Sequence, residues 1–225
     1  NFDQSVMEYF ISNNRKDLYP YICDIEGRCS WLKILTNRKF DKVLDIGAGL
    51  GAISSKLSSV SNKIIAIEQD KLRSQFLEAR FKAENKTNIS VINNSIFNLQ
   101  SSRTAKFDLI VCNGVLEWVG LYGKENPYAI QMKFLKMLYE MLSEDGILYI
   151  GIENRYSISY FKGMPDHMGV KYTSLVPRSV ANLMQNYMSN KDNNFYLEGV
   201  SGYRTYTYTQ KKLRDMLVSN GFESK

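Results

Sequence analysis

The sequence contains little cysteine, histidine or proline, and each shortage excludes a class of protein. Three cysteines in 225 residues are too few for a disulfide framework, and a single histidine leaves no zinc-ligand set at a recognisable spacing. No apolar run approaches the about 20 residues of a membrane-spanning helix, and the N-terminus shows no basic-then-apolar signal pattern. We therefore predict a globular protein without a metal site or a membrane span, and its few thiols favour the reducing cytoplasm.

The apolar side chains that are present suffice for one sizeable core. Hydrophobic residues make up 44% of the chain, and a chain of this length buries about 70% of its unfolded surface. The net charge of +6 favours anionic partners, such as nucleic acid, phosphorylated small molecules or a membrane surface. Lysines and arginines are mixed with acids, however, which is typical of a solvated basic surface.

Hydrophobic periodicity indicates one domain, 1–225, built from four parts. Residues 1–40 have helical spacing and form an N-terminal helical lead-in, and residues 41–152 alternate short strands with helices that begin near Leu50, Asp70 and Asn126. The predicted strands are 42–46, 63–68, 88–93, 107–112 and 146–152. This alternation predicts a doubly wound, Rossmann-like α/β fold with a mostly parallel sheet.

The C-terminal third departs from this alternation. Residues 153–208 are rich in Gly, Pro and Tyr, and we interpret them as a long insertion after the fifth strand, with one helix near Arg178–Met188, that acts as a lid or binding loop. Residues 209–225 contain a helix, Thr209–Ser219, and then what looks like the first residues of another strand. We expect the natural chain to continue beyond Lys225.

A glycine-rich turn follows the first predicted strand in the sequence VLDIGAGLGAIS, residues 43–54. A strand, a glycine turn and a helix together allow a backbone to approach a ligand closely at a helix N-terminus. Gly47, Gly49 and Gly51 have the spacing G-x-G-x-G, which differs from the G-x-G-x-x-G of dinucleotide sites, and no Lys-Ser/Thr follows as in a P-loop. The ligand is therefore expected to be a different nucleotide.

The ends of the other strands supply the remaining candidates. Glu68 ends the second strand, where a carboxylate can bind a ribose diol, and Asp70 is expected to cap the next helix. The fourth strand ends at Asn113 and Gly114, beside the point where the strand order is expected to reverse and a crevice opens.

These motifs, in this order on consecutive strand ends, resemble class I S-adenosylmethionine-dependent methyltransferases. The resemblance implies S-adenosylmethionine as cofactor, with Ser95 and Ile96 of INNSIF against the adenine, although many relatives carry an acid in place of Ser95. It also implies a role for Glu117 at the cofactor's amine, with capping of the next segment as the alternative. The full set of implied cofactor-binding residues is Arg28, Asp45, Gly47, Gly49, Gly51, Glu68, Gln69, Ser95, Ile96, Asn113, Gly114 and Glu117.

The resemblance extends further, to bacterial methyltransferases associated with glycosyltransferases and polysaccharide biosynthesis. It rests on EGRCSWL (26–32), GVLEW (114–118), GIENRYSISYFKG (151–163), DHMG (166–169) and YRTYTYTQKKLRDMLVSNGF (203–222). Trp118 departs from the more usual Tyr or His. This resemblance implies two partners. One is a sugar, glycan or related small-molecule acceptor, which the positive net charge allows to be anionic. The other is a fused or associated glycosyltransferase.

Four residues of the insertion fit acceptor chemistry. His167 is the only histidine, and a neutral imidazole near pH 7 suits a general base for a hydroxyl acceptor, with an ordinary surface histidine as the alternative. Asn154, Arg155 and Tyr156 follow the fifth strand at the edge where ligands bind; Arg155 can clamp an anion or pin the insertion by a salt bridge. Most other tyrosines of the insertion are expected to pack in the core.

Three functions remain open from the sequence. The first is O-methylation of a glycan or small molecule. The second is methylation of RNA, which the positive charge favours, although Asn113-Gly114-Val115-Leu116 lacks the Asn/Asp-Pro-Pro-Tyr/Phe that is typical of base amino-methylation. The third is a regulatory domain of a larger glycan-synthesis protein that binds S-adenosylmethionine without turnover.

Overall fold

Five strands form one sheet in the order β3-β2-β1-β4-β5 in the computed structural model, which describes residues 24–35, 38–98, 105–189 and 200–223. The strands are β1 (Phe40–Ile46), β2 (Ser61–Glu68), β3 (Ile89–Asn93), β4 (Phe107–Asn113) and β5 (Leu142–Gly151). All are parallel and helices flank the sheet, so the predicted doubly wound α/β fold is confirmed.

Strand register follows from backbone and side-chain contacts. β1 pairs with β2 so that Asp45 lies beside Ala66, and β2 pairs with β3 so that Glu68 lies beside Asn93. On the other side of β1, the Asp108 carboxylate at the start of β4 accepts hydrogen bonds from the backbone N–H groups of residues 41 and 42 at 2.8 and 2.9 Å. Because the strand order reverses between β1 and β4, the carboxyl end of β1 borders the usual ligand position of such sheets.

Seven α-helices lie within the described residues, and their ends agree closely with the predicted signals. They are α1 (Ile25–Arg28), α2 (Ala52–Leu57), α3 (Lys71–Ala83), α4 (Pro127–Met141), α5 (Ile158–Phe161), α6 (Arg178–Ser189) and α7 (Gln210–Ser219). Asp70 caps α3 by accepting from the Arg73 N–H at 2.8 Å, as predicted. Thr209 caps α7, which ends at Asn220 before Gly221 at a φ of 94°.

Three predictions on element bounds need correction or lie outside the described residues. β5 begins at Leu142, directly after α4, whereas the sequence predicted a start at residue 146. The insertion holds α5 in addition to the predicted helix, because Ser157 caps a further short turn. Most of the predicted lead-in, residues 1–23, lies outside the described residues, as do residues 190–194 of the insertion. The described part of the lead-in contains α1 and a 3₁₀ turn, Ser30–Leu35.

The described chain divides into two compact units, each with its own apolar core. The described residues of 24–111 and 141–149 form the first, and those of 112–140 and 150–223 form the second. The first core packs β1, β2 and β4 against α1 and α2; its buried members are Cys29, Phe40, Val43, Ile53, Leu57, Ile64, Leu109 and Val111. A second cluster there places Leu77 and Phe81 of α3 against Ala66 of β2.

Polar side chains that bind backbone groups join segments of the second unit, in addition to its buried apolar cluster of Met168, Ala181 and Tyr203. Gln131 of α4 is fully buried and donates to the carbonyls of Leu116 and Tyr206 at 2.7 and 3.1 Å. Arg204 donates to the carbonyls of Gly120 and Leu121 at 2.8 and 2.9 Å. Among the described residues, every helix is too short or too polar to cross a membrane.

Candidate functional site

The glycine turn after β1 has left-handed backbone at each predicted glycine. The φ angles of Gly47, Gly49 and Gly51 are 66°, 59° and 80°, a region that side chains disfavour. The turn is tied to β2 because the Ala48 N–H donates to the Ile67 carbonyl at 3.0 Å. The sequence therefore needs glycine here for conformation, as well as for access.

Gly49 and Gly51 differ in what surrounds them. A Cβ on Gly49 would meet nothing nearer than the Gly47 carbonyl oxygen at 3.9 Å, so space is open beside it. A Cβ on Gly51 would lie 2.6 Å from Leu77 Cδ2 and 2.8 Å from Phe81 Cζ. Gly51 thus allows α3 to pack closely, whereas Gly49 leaves room for a ligand.

Glu68 at the end of β2 holds the turn from the other side. Its carboxylate accepts from the Gly49 N–H at 2.8 Å and from the Asp70 N–H at 2.9 Å. Asn93 at the end of β3 donates to the carbonyls of Glu68 and Gln69 at 3.0 and 3.1 Å. Each carboxylate oxygen keeps a further acceptor position, so a ribose diol still has acceptors here.

Asp45, one residue before the end of β1, is buried and accepts a hydrogen bond from Ser54 Oγ at 2.5 Å. Burial raises the pKa of this carboxyl to about 6, while the Ser54 hydrogen bond and the positive charge of Arg28 lower it and Glu68 raises it further. Arg28, half-buried at the end of α1, therefore acts electrostatically on Asp45. The two predicted cofactor residues Arg28 and Asp45 belong to one electrostatic cluster.

Arg80 of α3 supports the same turn and was not predicted. It is 9% exposed, its Nη1 donates to the Leu50 carbonyl at 2.6 Å, and its Nε donates to Glu84 at 2.7 Å. In the sequence it resembles any arginine on a helix, and only tertiary packing brings it to the glycine turn. Its role is to fix the turn's backbone.

Ser95 and Ile96 follow β3 in a short 3₁₀ turn, Ile96–Asn98. The Ser95 N–H donates to Asn94 Oδ1 at 2.8 Å, and Ser95 Oγ accepts from the Phe97 N–H at 3.4 Å. Ile96 is buried and Ser95 is half-buried. Contact of this pair with an adenine stays a prediction.

In the second unit, the end of β4 leads into a second site. Gly114 has a φ of 70°, and its N–H donates to the Gly151 carbonyl at the end of β5 at 2.7 Å. The 3₁₀ turn Leu116–Trp118 follows, and a Cβ on Gly114 would lie 3.8 Å from Glu117 Oε1. Asn113 is half-buried at the strand end. A cofactor contact by Asn113 or Gly114 stays a prediction.

His167 lies between two carboxylates of this unit. Its Nε2 is 3.2 Å from Glu153 Oε2 and 3.8 Å from Glu117 Oε1. The distance to Glu153 is within range of an ion pair, but the angle does not satisfy a hydrogen bond, so Nε2 is buried without a hydrogen-bond partner. Glu117 is 2% exposed, and its Oε2 is buried without a hydrogen-bond partner too.

The pKa values in this cluster follow from burial and mutual charge. Burial alone lowers the pKa of His167, but the interactions with Glu153, Glu117 and Asp166 outweigh it, so the pKa is raised above 6.5. The pKa of Glu153 is lowered by its interaction with His167 and by the Tyr160 hydrogen bond, against burial. Burial raises the pKa of Glu117 to about 7. The cluster can therefore exchange protons near neutral pH.

Neighbouring residues fix the position of His167. Asp166 is buried and accepts from the N–H groups of Met168 and Val170 at 2.9 and 3.1 Å and from Thr173 Oγ1 at 2.5 Å. The Trp118 ring lies 4.7 Å from the imidazole, centroid to centroid. The DHMG turn is thus a hydrogen-bonded loop that holds His167 on one side of the cluster.

The predicted acceptor residues have mainly local contacts. Asn154 Oδ1 accepts from the Tyr156 N–H at 2.9 Å, and Tyr156 is 51% exposed. Arg155 Nε donates to the Ser174 carbonyl at 2.7 Å, and its Nη2 donates to the Val176 carbonyl. Arg155 therefore pins the insertion, through carbonyls rather than the expected salt bridge. Acceptor contacts of this trio stay predictions.

Glu153 and Tyr160 belong to the His167 cluster but were not singled out as functional. Tyr160 is 1% exposed, and its hydroxyl donates to Glu153 Oε2. Glu153 lies next to the end of β5, where the rule that selected Asn154 and Arg155 also applies, so its position was an available signal. The interpretation of Tyr160, Tyr203 and Tyr208 as buried packing residues is confirmed.

A parallel sheet with a glycine turn after β1 and an acid at the end of β2 defines a nucleotide-binding domain of the doubly wound class. Residues 37–221 match a family described as "Methyltransferase domain", and this covers most of the chain. The chain belongs to that family.

Two curated relatives match part of the chain. It is 30% identical to ribosomal RNA small subunit methyltransferase A of Desulforapulum autotrophicum over 100 residues, which are 44% of this chain and 32% of that protein. The probable counterpart from Methanosphaera stadtmanae is 32% identical over 105 residues, 47% of this chain and 33% of that protein. These matches span about a third of the relatives' length.

Solved structures share the fold at low sequence identity. A putative methyltransferase from Bacillus halodurans superposes with a TM-score of 0.52 at 14% identity, over 88% of this chain and 70% of that one. The N-terminal domain of EvdMO1, solved in the presence of S-adenosylhomocysteine (SAH) and D-fucose, has the same TM-score at 15% identity, over 88% of this chain and 73% of that one.

The family match, together with the resemblance of the motifs to S-adenosylmethionine (SAM) dependent methyltransferases, makes SAM the cofactor against which the site is tested. The residues present fit this group: Gly49 leaves open space at the turn, and Glu68 offers carboxylate oxygens suited to a ribose. Contact of Glu117 with the cofactor's ammonium group stays a prediction.

Proposed function

We propose that this protein transfers a methyl group from SAM to a hydroxyl oxygen of a glycan or related small-molecule acceptor. One observation carries the proposal: the single histidine lies between two acidic side chains, 3.2 Å from Glu153 and 3.8 Å from Glu117, which raise its pKa. A hydroxyl is a weak nucleophile that gains from a base, and a histidine with a pKa above 6.5 suits that role.

When bound, SAM supplies an electrophilic methyl group, so the protein has to bind, orient and deprotonate. In the first unit, Glu68 would bind the ribose diol, the bare backbone at Gly47 and Gly49 would admit the methionine part, and Ser95 with Ile96 would border the adenine. In the second unit, Glu117 would bind the ammonium group, and Asn113 and Gly114 would line the methyl-transfer position. His167 takes the proton of the acceptor hydroxyl, which contributes about 10²–10⁴ in rate.

A sugar-like acceptor has support from two directions. The exposed Tyr156 ring, 5.5 Å from the Arg155 guanidinium, offers a flat aromatic surface of the kind that packs on sugar rings. EvdMO1, whose N-terminal domain shares this fold, was solved with D-fucose present. Together with Asn154, these residues are our candidates for acceptor binding, and a glycosyltransferase remains the expected partner.

RNA is the second candidate acceptor. Both curated relatives are ribosomal RNA methyltransferases, and the net charge is +6. The sequence Asn113-Gly114-Val115-Leu116 disfavours base amino-methylation, so ribose methylation fits this chain better. In either case the buried thiols of Cys29 and Cys112 favour a reducing, cytoplasmic location.

The experiment is incubation with methyl-labelled SAM and a cell extract fractionated into glycan, lipid, RNA and protein. Label in the glycan or small-molecule fraction supports the proposal, and His167→Gln should reduce it by about 10²–10⁴ while SAM binding persists. Label in RNA alone would replace it by the second candidate. Tight SAM binding with no labelled fraction would favour a regulatory domain without turnover.

A further inference from the structure

The contacts of His167 distinguish its two ring nitrogens. Nε2 lies toward Glu153 and Glu117, at 3.2 and 3.8 Å, and is buried. The hydrogen of a neutral imidazole sits on the nitrogen that faces an acceptor, and the Glu153 carboxylate, whose pKa is lowered, is ionised and can accept a hydrogen bond but not donate one. The proton therefore belongs on Nε2, which leaves Nδ1 as the basic nitrogen.

Glu153 owes its own position to a buried tyrosine. Tyr160 in α5 is 1% exposed, and its hydroxyl donates to Glu153 Oε2, the same oxygen that lies 3.2 Å from the imidazole. Burial raises the pKa of Tyr160, as does the neighbouring Glu153 carboxylate, so the hydroxyl remains a donor. Without Tyr160, the half-exposed Glu153 side chain can turn away from His167.

We propose that Tyr160 and Glu153 are positioning residues that hold His167 as the Nε2-protonated tautomer, so that Nδ1 serves as the base. The part of this inference that concerns the acceptor rests on the proposed function. In that step the acceptor oxygen bonds to the methyl carbon while its proton passes to Nδ1. The carbon–sulfur bond breaks, and its electron pair stays on sulfur.

His167 is the only histidine, so its NMR signals can be followed without assignment of the rest of the chain. In the wild type we expect the Nε2–H tautomer from the ¹⁵N shifts and a titration midpoint above 6.5. Glu153→Gln should lower the midpoint and mix the tautomers, and Tyr160→Phe should do the same to a smaller extent. Glu117→Gln measures how much the second carboxylate contributes to the midpoint of His167. Asp166 is not substituted in any variant.

Glu125→Gln is the matched control, since Glu125 is exposed and pairs with Lys133 at 2.7 Å, and it should leave the midpoint unchanged. An Nδ1–H tautomer in the wild type would overturn the inference. The inference would also be overturned if the titration midpoint of His167 in Glu153→Gln and in Tyr160→Phe equalled the midpoint in Glu125→Gln. If Glu153→Gln does not fold, Tyr160→Phe decides, because it retains the ring that packs in the core.

Kinetics separate this inference from the proposed function. With a labelled acceptor, Glu153→Gln should lower the plateau rate and move the acidic limb of the pH–rate profile to lower pH, in step with the NMR midpoint. A structural role alone would lower the rate without moving the limb. NMR changes without any methyl transfer would leave the positioning intact and refute the proposed function; transfer with an unmoved limb would refute the positioning.

Discussion

Two glycines of the turn after β1, Gly49 and Gly51, differ in how well they should tolerate an added methyl group. Gly51→Ala would place a Cβ 2.6 Å from Leu77 Cδ2 and 2.8 Å from Phe81 Cζ, at a φ of +80°. In Gly49→Ala the atom nearest to the new Cβ would be the Gly47 carbonyl oxygen, at 3.9 Å, at a φ of +59°. The two variants share the backbone cost and differ in the packing cost.

The magnitudes follow from these two terms. A left-handed residue with a side chain costs about 1–2 kcal/mol, and overpacking a tight contact costs a further about 1–3 kcal/mol. Gly49→Ala should therefore lower the free energy of unfolding by about 1–2 kcal/mol and Gly51→Ala by about 2–5 kcal/mol. The loss of SAM affinity should have the opposite order. Gly49→Ala should weaken SAM binding more than Gly51→Ala does, because its methyl group occupies the space open to SAM.

Urea unfolding gives the two free energies, and calorimetry of SAM with each folded variant gives the affinities. We expect Gly49→Ala to remain folded and to bind SAM at least tenfold more weakly, which corresponds to about 1.4 kcal/mol. If both variants lost the same stability, the assigned packing role of Gly51 would be wrong. If Gly49→Ala bound SAM with wild-type affinity, the open space beside it would not be the ligand's.

Three further predictions concern buried polar groups. Burial raises the pKa of Asp45 from 3.8 to about 6, so the folded state holds this proton more tightly; the contribution of this group to stability is complete below about pH 4 and falls by about 3 kcal/mol as pH rises to 6, at about 1.4 kcal/mol per pKa unit. Asp45→Asn should remove that dependence in urea unfolding across this range, and an unchanged slope would contradict it. Arg80→Met leaves the buried Leu50 carbonyl unpaired and should cost about 1–3 kcal/mol in thermal unfolding, unlike Lys82→Met on the exposed side of α3. Asp166→Ala removes three hydrogen bonds and should cost at least about 2 kcal/mol, with amide hydrogen exchange quickening at residues 168 and 170; unchanged protection there would refute its role in the turn.

The sequence allowed prediction of the sheet because each strand is a short apolar run that ends at a recognisable turn. Asp70 and Thr209 marked helix starts through the hydrogen bonds that their side chains offer to the backbone. The start of β5 was missed because Ser143, Glu144 and Asp145 are polar residues typical of turns, whereas in the structure they belong to a strand beside β4. Ser143 Oγ, for example, donates to the Phe107 carbonyl at 3.2 Å.

The candidate site was predictable where function depends on strand ends, and not where it depends on partners distant in the chain. Gly49 and Glu68 were predicted from their positions after strands, and the structure joins them by a hydrogen bond from the Gly49 N–H to the Glu68 carboxylate. Arg80 and Tyr160 look like ordinary helix residues, since their partners, Leu50 and Glu153, are set by the tertiary fold. His167 stood out by rarity, but its place between Glu117 and Glu153 could be found only in three dimensions.

Calorimetric titration of the purified chain with SAM, and separately with SAH, tests the central claim most directly. We expect one site per chain for each, weakened by Gly49→Ala and by Glu68→Ala and unaffected by Glu125→Gln. Absence of binding heat, together with an unfolding temperature that neither compound raises, would contradict the account.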